Sequence, residues 1–371
     1  MDRWSAHYYS AEAEHVAAER MEAATTDAMP RVPFIPPTVV PNVTPEATVT
    51  KDPSAVKDLM QEFGVCILDI SDELQGEVAT VVRAIGDSGA GAFSGVGDEQ
   101  VFDGTDAFKE AAETIPERIF GEVGAGFLIA KSGSSLVPHD EAAQSRRSPS
   151  HCDAINSYGE KRPDYLFLMC SSQSEAGGAS VLTDGFAALE GLRADPDTRW
   201  VAERLATATL EITTTHETFS PDGQPVAFAS TKVVETTPAG RMQIMHSPDN
   251  LKSLDTASDE EKALDQEMLR IWKEAIEVLE TKTVPFKLQP GQIAVVDNYR
   301  YFHGREFFTM EPSPRALWQK WMWSVTGQGL PFGASPESLA SSGAARANPS
   351  PRVGLYEPPV ATVEDTASAK L

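Results

Sequence analysis

The sequence predicts a mainly β chain with flanking helices: one β-rich core that carries a helical insert and is bounded by two irregular ends. Three observations predict it. Short apolar runs of strand length recur between residues 65 and 325, a capping box opens one long amphipathic stretch, and Pro-rich composition is concentrated at the two ends. With 371 residues the chain is long enough to bury a sizeable core, as one large domain or two smaller ones.

Residues 1–52 begin polar and Ala/Glu-rich and then turn Pro-rich, which favours extended backbone and reads as an N-terminal arm. Folding is expected from Pro53. AVKDLMQEF reads as a short helix, Gly64 ends it, and VCILDI follows as a buried strand. Gly, Ser and Asp dominate residues 85–110, which predicts a long loop; GFLIAK is a strand candidate, and residues 131–150 read as a second long loop. Loops of that length in a compact domain serve as lids or binding loops. Further strand candidates are YLFLMC (165–170), ASVLTDG (179–185), IAVVD (293–297) and ALWQKWMWSV (316–325). The helical insert, at about 250–285, is announced by the capping box Ser258-Asp259-Glu260-Glu261. Apolar positions Leu264, Met268, Ile271, Ile276 and Leu279 follow at helical spacing. Residues 329–371 are Pro/Ser/Ala-rich and read as a tail.

Charge narrows the function classes. Lys plus Arg total 31 against 55 Asp plus Glu, a formal net charge of -24 that repels phosphate backbones and anionic lipid. Neither nucleic acid nor membrane is therefore expected as a partner. Cys66, Cys152 and Cys170 form an odd, sparse set without a CxxC pair, which speaks against a disulfide framework and for a reducing compartment. The first twenty residues have no apolar signal region, so the cytoplasm is the expected location. Oligomeric state leaves no trace in the sequence.

Chemistry concentrates at His151-Cys152-Asp153 and, far downstream, His303 in NYRYFHGREFF. On a strand, residues i and i+2 share a face, so His151 and Asp153 can aim at one ion while Cys152 points away. A second imidazole from a neighbouring strand completes three ligands on one side of an octahedron. The other side stays open, as in the facial triad of non-haem iron(II) oxygenases, which take a 2-oxo acid and O2 there. Taken alone His-x-Asp is a weak signal, shared by many sequences, and a strand histidine is more often a hydrogen-bonded core residue.

Further blocks in order add to it. Gly177-Gly178-Ala179-Ser180, Thr183-Asp184-Gly185, Ala188-Leu189-Glu190-Gly191-Leu192, Thr237-Pro238-Ala239-Gly240-Arg241, Asp297-Asn298-Tyr299-Arg300 and His303-Gly304-Arg305 follow one another, and Arg315 falls twelve residues after His303. With His151-x-Asp153, this series resembles the taurine/2,4-D dioxygenase-like family, which includes clavaminate-synthase-like and γ-butyrobetaine-hydroxylase-like enzymes. The resemblance spans about residues 53 to 328. It implies a double-stranded β-helix (jelly-roll) core over that range, with the helical insert between the two metal-ligand motifs.

The resemblance also implies roles. His151, Asp153 and His303 would hold Fe(II), and Arg315 would grip the distal carboxylate of the cosubstrate 2-oxoglutarate through two parallel hydrogen bonds, with O2 as the second cosubstrate. Ser180 stands where the family carries Thr and would donate its hydroxyl to the same carboxylate. Gln319 departs from an arginine that serves anionic substrates in some members, which argues against a sulfonate-type substrate. Arg147 falls where some members contact substrate, and reads equally as a solvated loop charge. Arg305 and His246 are candidates to line the cavity or to serve as structural hydrogen-bonders. The implied reaction couples decarboxylation of 2-oxoglutarate to succinate and CO2 with hydroxylation, or a related C–H oxidation, of a small amino-acid-like or natural-product substrate. Asp153 favours hydroxylation over halogenation, because related halogenases lack this carboxylate. Two rivals use the same residues: a zinc-dependent hydrolase or lyase, and a jelly-roll protein that binds a ligand without turnover.

Overall fold

The computed structural model describes residues 48–74, 106–120, 127–135, 147–155, 159–214, 225–248, 250–308, 315–324 and 327–328. Most of the N-terminal arm, the loop over 85–105 and the tail over 329–371 lie outside them.

The larger sheet contains β1 (Val49–Thr50), β2 (Val65–Asp69), β3 (Phe127–Ser135), β5 (Tyr165–Ser172), β12 (Gln292–Asp297) and β14 (Ala316–Ser324). Its order is β1-β2-β12-β5-β14-β3, antiparallel except for the β1–β2 pair. A three-stranded sheet holds β4 (Ser148–His151), β6 (Ser180–Asp184) and β13 (Tyr301–Arg305) in the order β4-β13-β6. Between β6 and β13 in the chain come β7 (Leu210–Thr214), β8 (Val226–Thr231) and β11 (Leu251–Ser253), paired as β11-β7-β8, and the antiparallel pair β9 (Val234–Thr236) and β10 (Met242–Ile244).

Strand alternation sorts the larger sheet into two apolar faces. On one, Cys66, Leu68, Phe167, Met169, Ile293, Val295 and Met322 pack against α1 (Pro53–Phe63) and α2 (Asp106–Phe120) through Val56, Met60, Ile115 and Ile119. On the other, Val65, Ile67, Leu166, Leu168, Ala294, Val296, Leu317 and Trp321 meet Leu182 and Tyr301 of the three-stranded sheet. Phe302, next to Tyr301, points the opposite way, into a core built with α3 (Gly185–Ala194), α4 (Arg199–Thr207) and α5 (Asp259–Lys282). The molecule is thus layered helix, sheet, sheet, helix, and His303 faces the space between the sheets.

Local chemistry explains the helix ends. Asp52 accepts from the Ser54 backbone N–H at 2.9 Å, Pro53 occupies the first turn, and Gly64 closes α1 in the left-handed region at φ 76°. At α5 both halves of the capping box form: the Glu261 N–H donates to Ser258 Oγ at 3.2 Å, and the Ser258 N–H donates to Glu261 Oε2 at 3.0 Å. The buried stripe of α5 includes Met268, Ile271, Trp272, Ile276 and Leu279.

Several expectations need correction. The expected loop over 85–110 gives way to helix at Asp106, where the Gly-rich run has ended and Ala107, Ala111 and Ile115 follow at helical spacing onto the core. The loop expected over 131–150 is strand at both ends, since β3 extends to Ser135 and β4 starts at Ser148. The sheet starts before Pro53, at Val49. Helices α3 and α4 were not expected: the Ala188–Leu192 block was read as a motif and not as a helix. No helix among the described residues is long and apolar enough to cross a membrane.

Candidate metal centre

His151 ends β4, and His303, in the middle of β13, is its direct cross-strand partner. Such partners point to one face of a sheet, which brings the two rings to a centroid separation of 4.5 Å. Asp153 lies two residues past His151, on the turn that follows β4. Its Oδ1 is 3.8 Å from His151 Nε2 and 3.4 Å from His303 Nε2, and one ligand atom from each residue falls within a 4.8 Å set. Two imidazole nitrogens and one carboxylate oxygen suit a divalent first-row ion with positions left over for other ligands.

The protonation pattern fits the same use. The Pro149 carbonyl can only accept, so the hydrogen bond at 2.9 Å places the proton of His151 on Nδ1 and leaves the Nε2 lone pair for a metal. Burial, helped by His303, lowers the pKa of His151 and favours the neutral ring. Burial pushes the Asp153 carboxyl up, but His303, His151 and the Trp321 indole outweigh it and hold the group at about 2. His303 Nδ1 is buried without a hydrogen-bond partner.

One step along the same strands, Arg305 stands opposite both Ser180 of β6 and Ser148 of β4, while Leu182 stands opposite His303. Ser180 therefore shares the face of His303, roughly 7 Å along the strand direction. Arg315, at the start of β14, is buried there: its Nε donates to the Gly178 carbonyl at 3.0 Å, and a second nitrogen lies 3.5 Å from Ser180 Oγ. No carboxylate among the described residues forms an ion pair with it. Burial, with Arg305 nearby, lowers its pKa to about 10. The approach requires glycine. Gly177 and Gly178 both sit at φ 74°, and a Cβ would fall 2.1 Å from the Phe307 carbonyl oxygen at the first and 2.8 Å from Arg315 Cδ at the second.

The remaining candidates scatter. Gln319 Nε2 donates to Asp153 Oδ2, which brings it into the centre. Arg305 lies over the Phe308 ring at 4.6 Å. His246 is buried 5.2 Å from the Phe302 ring, and burial, with His151 and Lys273, pulls its pKa to about 3, so it is a neutral core imidazole. Its backbone binds Cys152 on the side away from the ligands, with N–H to Sγ at 3.1 Å. Arg147 pairs at 2.7 Å with the buried Glu280 of α5, a partner that neither sequence reading anticipated.

Two contributors went unrecognised. Trp321 Nε1 donates to Asp153 Oδ2 at 2.8 Å. Asn298, quoted only as part of a motif, accepts from the Asp153 N–H at 3.0 Å and donates to the Pro163 carbonyl at 2.9 Å, fixing the backbone that carries the carboxylate. Strand alternation offered a signal for the first: Leu317, Gln319 and Trp321 share one face of β14.

The chain is similar to the non-heme iron oxygenase OrfP solved with Fe and alpha-ketoglutaric acid, at 16% identity and a TM-score of 0.49, covering 90% of this chain and 97% of that one. It is similar to an asparagine oxygenase solved with Fe(II), 3-hydroxyasparagine and succinate, at 17% identity and 0.45, covering 86% and 92%. PvcB from Pseudomonas aeruginosa matches at 16% identity and 0.41, covering 73% and 79%. No curated protein matches the sequence. The family model described as Taurine catabolism dioxygenase TauD, TfdA family matches residues 51–325. The chain belongs to that family.

Proposed function

We propose that this protein is an iron(II)- and 2-oxoglutarate-dependent dioxygenase that hydroxylates a small, amino-acid-like or natural-product substrate. The observation that carries the reading is Arg315. A guanidinium buried with no acid beside it among the described residues is desolvated without an ion pair from them in return, so the site calls for an anionic ligand. The distal carboxylate of 2-oxoglutarate meets that need, with the Ser180 hydroxyl beside it.

His151, Asp153 and His303 would hold the metal through Nε2, Oδ1 and Nε2. When bound, iron(II) with 2-oxoglutarate and O2 supplies oxidative decarboxylation to succinate and CO2, coupled to oxidation of a C–H bond. The chain's own residues do the rest. Arg315 and Ser180 orient the cosubstrate, and the apolar walls around Leu182, Leu317 and Trp321 exclude water from the site. Gln319 offers no positive charge where some family members carry arginine, which favours a substrate without a strong anion at that end; Arg305 and Arg147 stand as further candidate substrate contacts, whereas His246 belongs to the core. The retained Asp153 carboxylate supports hydroxylation over halogenation. We further propose that the two facing sheets are the halves of a double-stranded β-helix. In this reading the oxygenase domain expected over 53–328 begins at β1, its helical insert is α5 (Asp259–Lys282), the residues before β1 are an arm and 329–371 a tail.

A zinc hydrolase or lyase would use the same three ligands but would leave Arg315 without a counter-ion. Anaerobic titration separates the readings. Iron(II) is expected to bind first, and 2-oxoglutarate then to bind only in its presence with a visible charge-transfer band, followed by succinate release on adding O2 and ascorbate. Absence of metal-dependent 2-oxoglutarate binding would overturn the proposal.

A further inference from the structure

The Asp153 carboxylate is divided between two tasks. Its Oδ1 faces both imidazoles, whereas its Oδ2 accepts from the Trp321 indole at 2.8 Å and from the Gln319 amide. Both donors come from β14, in the opposite sheet, and their partner lies 168 and 166 residues away in sequence. They are also out of keeping with their neighbours. In the paired register, Gln319 continues the row Ile67, Ala294, Leu168, and Trp321 continues the row Val65, Val296, Leu166. A polar amide in such a row is expensive unless its hydrogen bonds are used, and the indole N–H likewise needs an acceptor.

We propose that Gln319 and Trp321 are positioning residues that clasp Asp153 Oδ2 and so restrict the carboxylate to offering the metal one oxygen. An oxygen whose lone pairs already accept two N–H bonds cannot also chelate without breaking them. Holding Asp153 to one coordination position keeps the others free for a bidentate 2-oxo acid and O2. Gln319 thereby acquires a role distinct from substrate recognition: its amide N–H is committed to a metal ligand. The inference rests on the proposed metal site and concerns how its carboxylate is held.

The probe is cobalt(II) alone, titrated into the full chain and followed by its d–d absorption, which reports affinity and coordination without turnover. Trp321→Phe keeps the ring and removes the donor, and Gln319→Met keeps the length and removes the amide. Each is expected to weaken cobalt(II) binding about 10- to 100-fold and to alter the d–d spectrum. Trp323→Phe is the control: its indole is on the same strand face, but it donates to the Lys161 carbonyl at 2.8 Å. It is expected to bind cobalt(II) as the wild type does. If Trp321→Phe does not fold, Gln319→Met, at a half-buried position, decides alone. Wild-type affinity and spectrum in the folded variants would overturn the proposal, and so would an equal loss in Trp323→Phe, which would indicate a packing effect. A wild-type protein that binds no cobalt(II) would instead overturn the metal site itself.

Discussion

Arg315 sits beside Gly178 and Ser180 with hydrogen bonds to both, and its desolvation is offset by no acid among the described residues. Arg315→Ala should therefore cost about 2–5 kcal/mol of 2-oxoglutarate binding, a loss of roughly 30-fold to several thousand-fold in affinity, measured by calorimetry on the metal-loaded protein. Unchanged affinity would remove the residue from the cosubstrate pocket. The same variant without ligand should be no less stable than wild type, because a buried cation with no acidic partner among the described residues has gone. His151→Ala should abolish iron(II) binding in an anaerobic titration, since it removes one of three ligands. Retained affinity would count against the triad. His151, Asp153, His303 and Arg315 were legible as candidates because their signals are short: a His-x-Asp pair, whose aspartate the fold sets on the turn after β4 and not on the strand, one histidine in a recurring block, and an arginine at a set distance from it. Trp321 was not. Its partner lies across the gap between two sheets, and nothing in the local pattern of ALWQKWMWSV says which inward side chain will meet Asp153.

At the level of elements, legibility followed burial. The strands β2, β5 and β12 are buried on both faces and stand out as continuous apolar runs. Helix α5 was legible from its capping box and apolar stripe, and it is also where a single exposed side chain can be tested. Ser258→Ala removes the acceptor for the Glu261 N–H and should cost about 1 kcal/mol in urea unfolding. A change well below that would mean that the first turn of α5 frays without affecting global stability. Helix α3 escaped notice for a chemical reason. It starts at Gly185, a poor helix former, and its cap, Asp184, accepts from the Phe186 and Ala187 N–H groups while also pairing with Arg300. Residues that read as a family motif are here fold clamps. The same holds for Arg241, which bridges Asp164 at 2.9 Å and Asp297 at 2.7 Å.

Across the whole molecule, the centre draws on both sheets. His151, Asp153, His303 and Ser180 come from the three-stranded sheet and its turn, whereas Arg315, Gln319 and Trp321 come from β14 of the larger one. A metal and a 2-oxo acid bound between them would tie together two layers that are otherwise joined largely by apolar packing, so binding should be read out as global stability. At 100 times its dissociation constant, a ligand that binds only the folded state adds about 2.7 kcal/mol. For a domain of this size that corresponds to roughly 5 °C in Tm. Thermal unfolding under anaerobic conditions should show one such increment with iron(II) and a second when 2-oxoglutarate is added to the metal-loaded protein. No increment is expected from 2-oxoglutarate alone, because its chelating end then has no partner. Arg315→Ala should keep the first increment and lose the second, and His151→Ala should lose both. A 2-oxoglutarate increment that persists without metal, or in Arg315→Ala, would mean that the acid binds elsewhere and that the two sheets are not bridged at this centre.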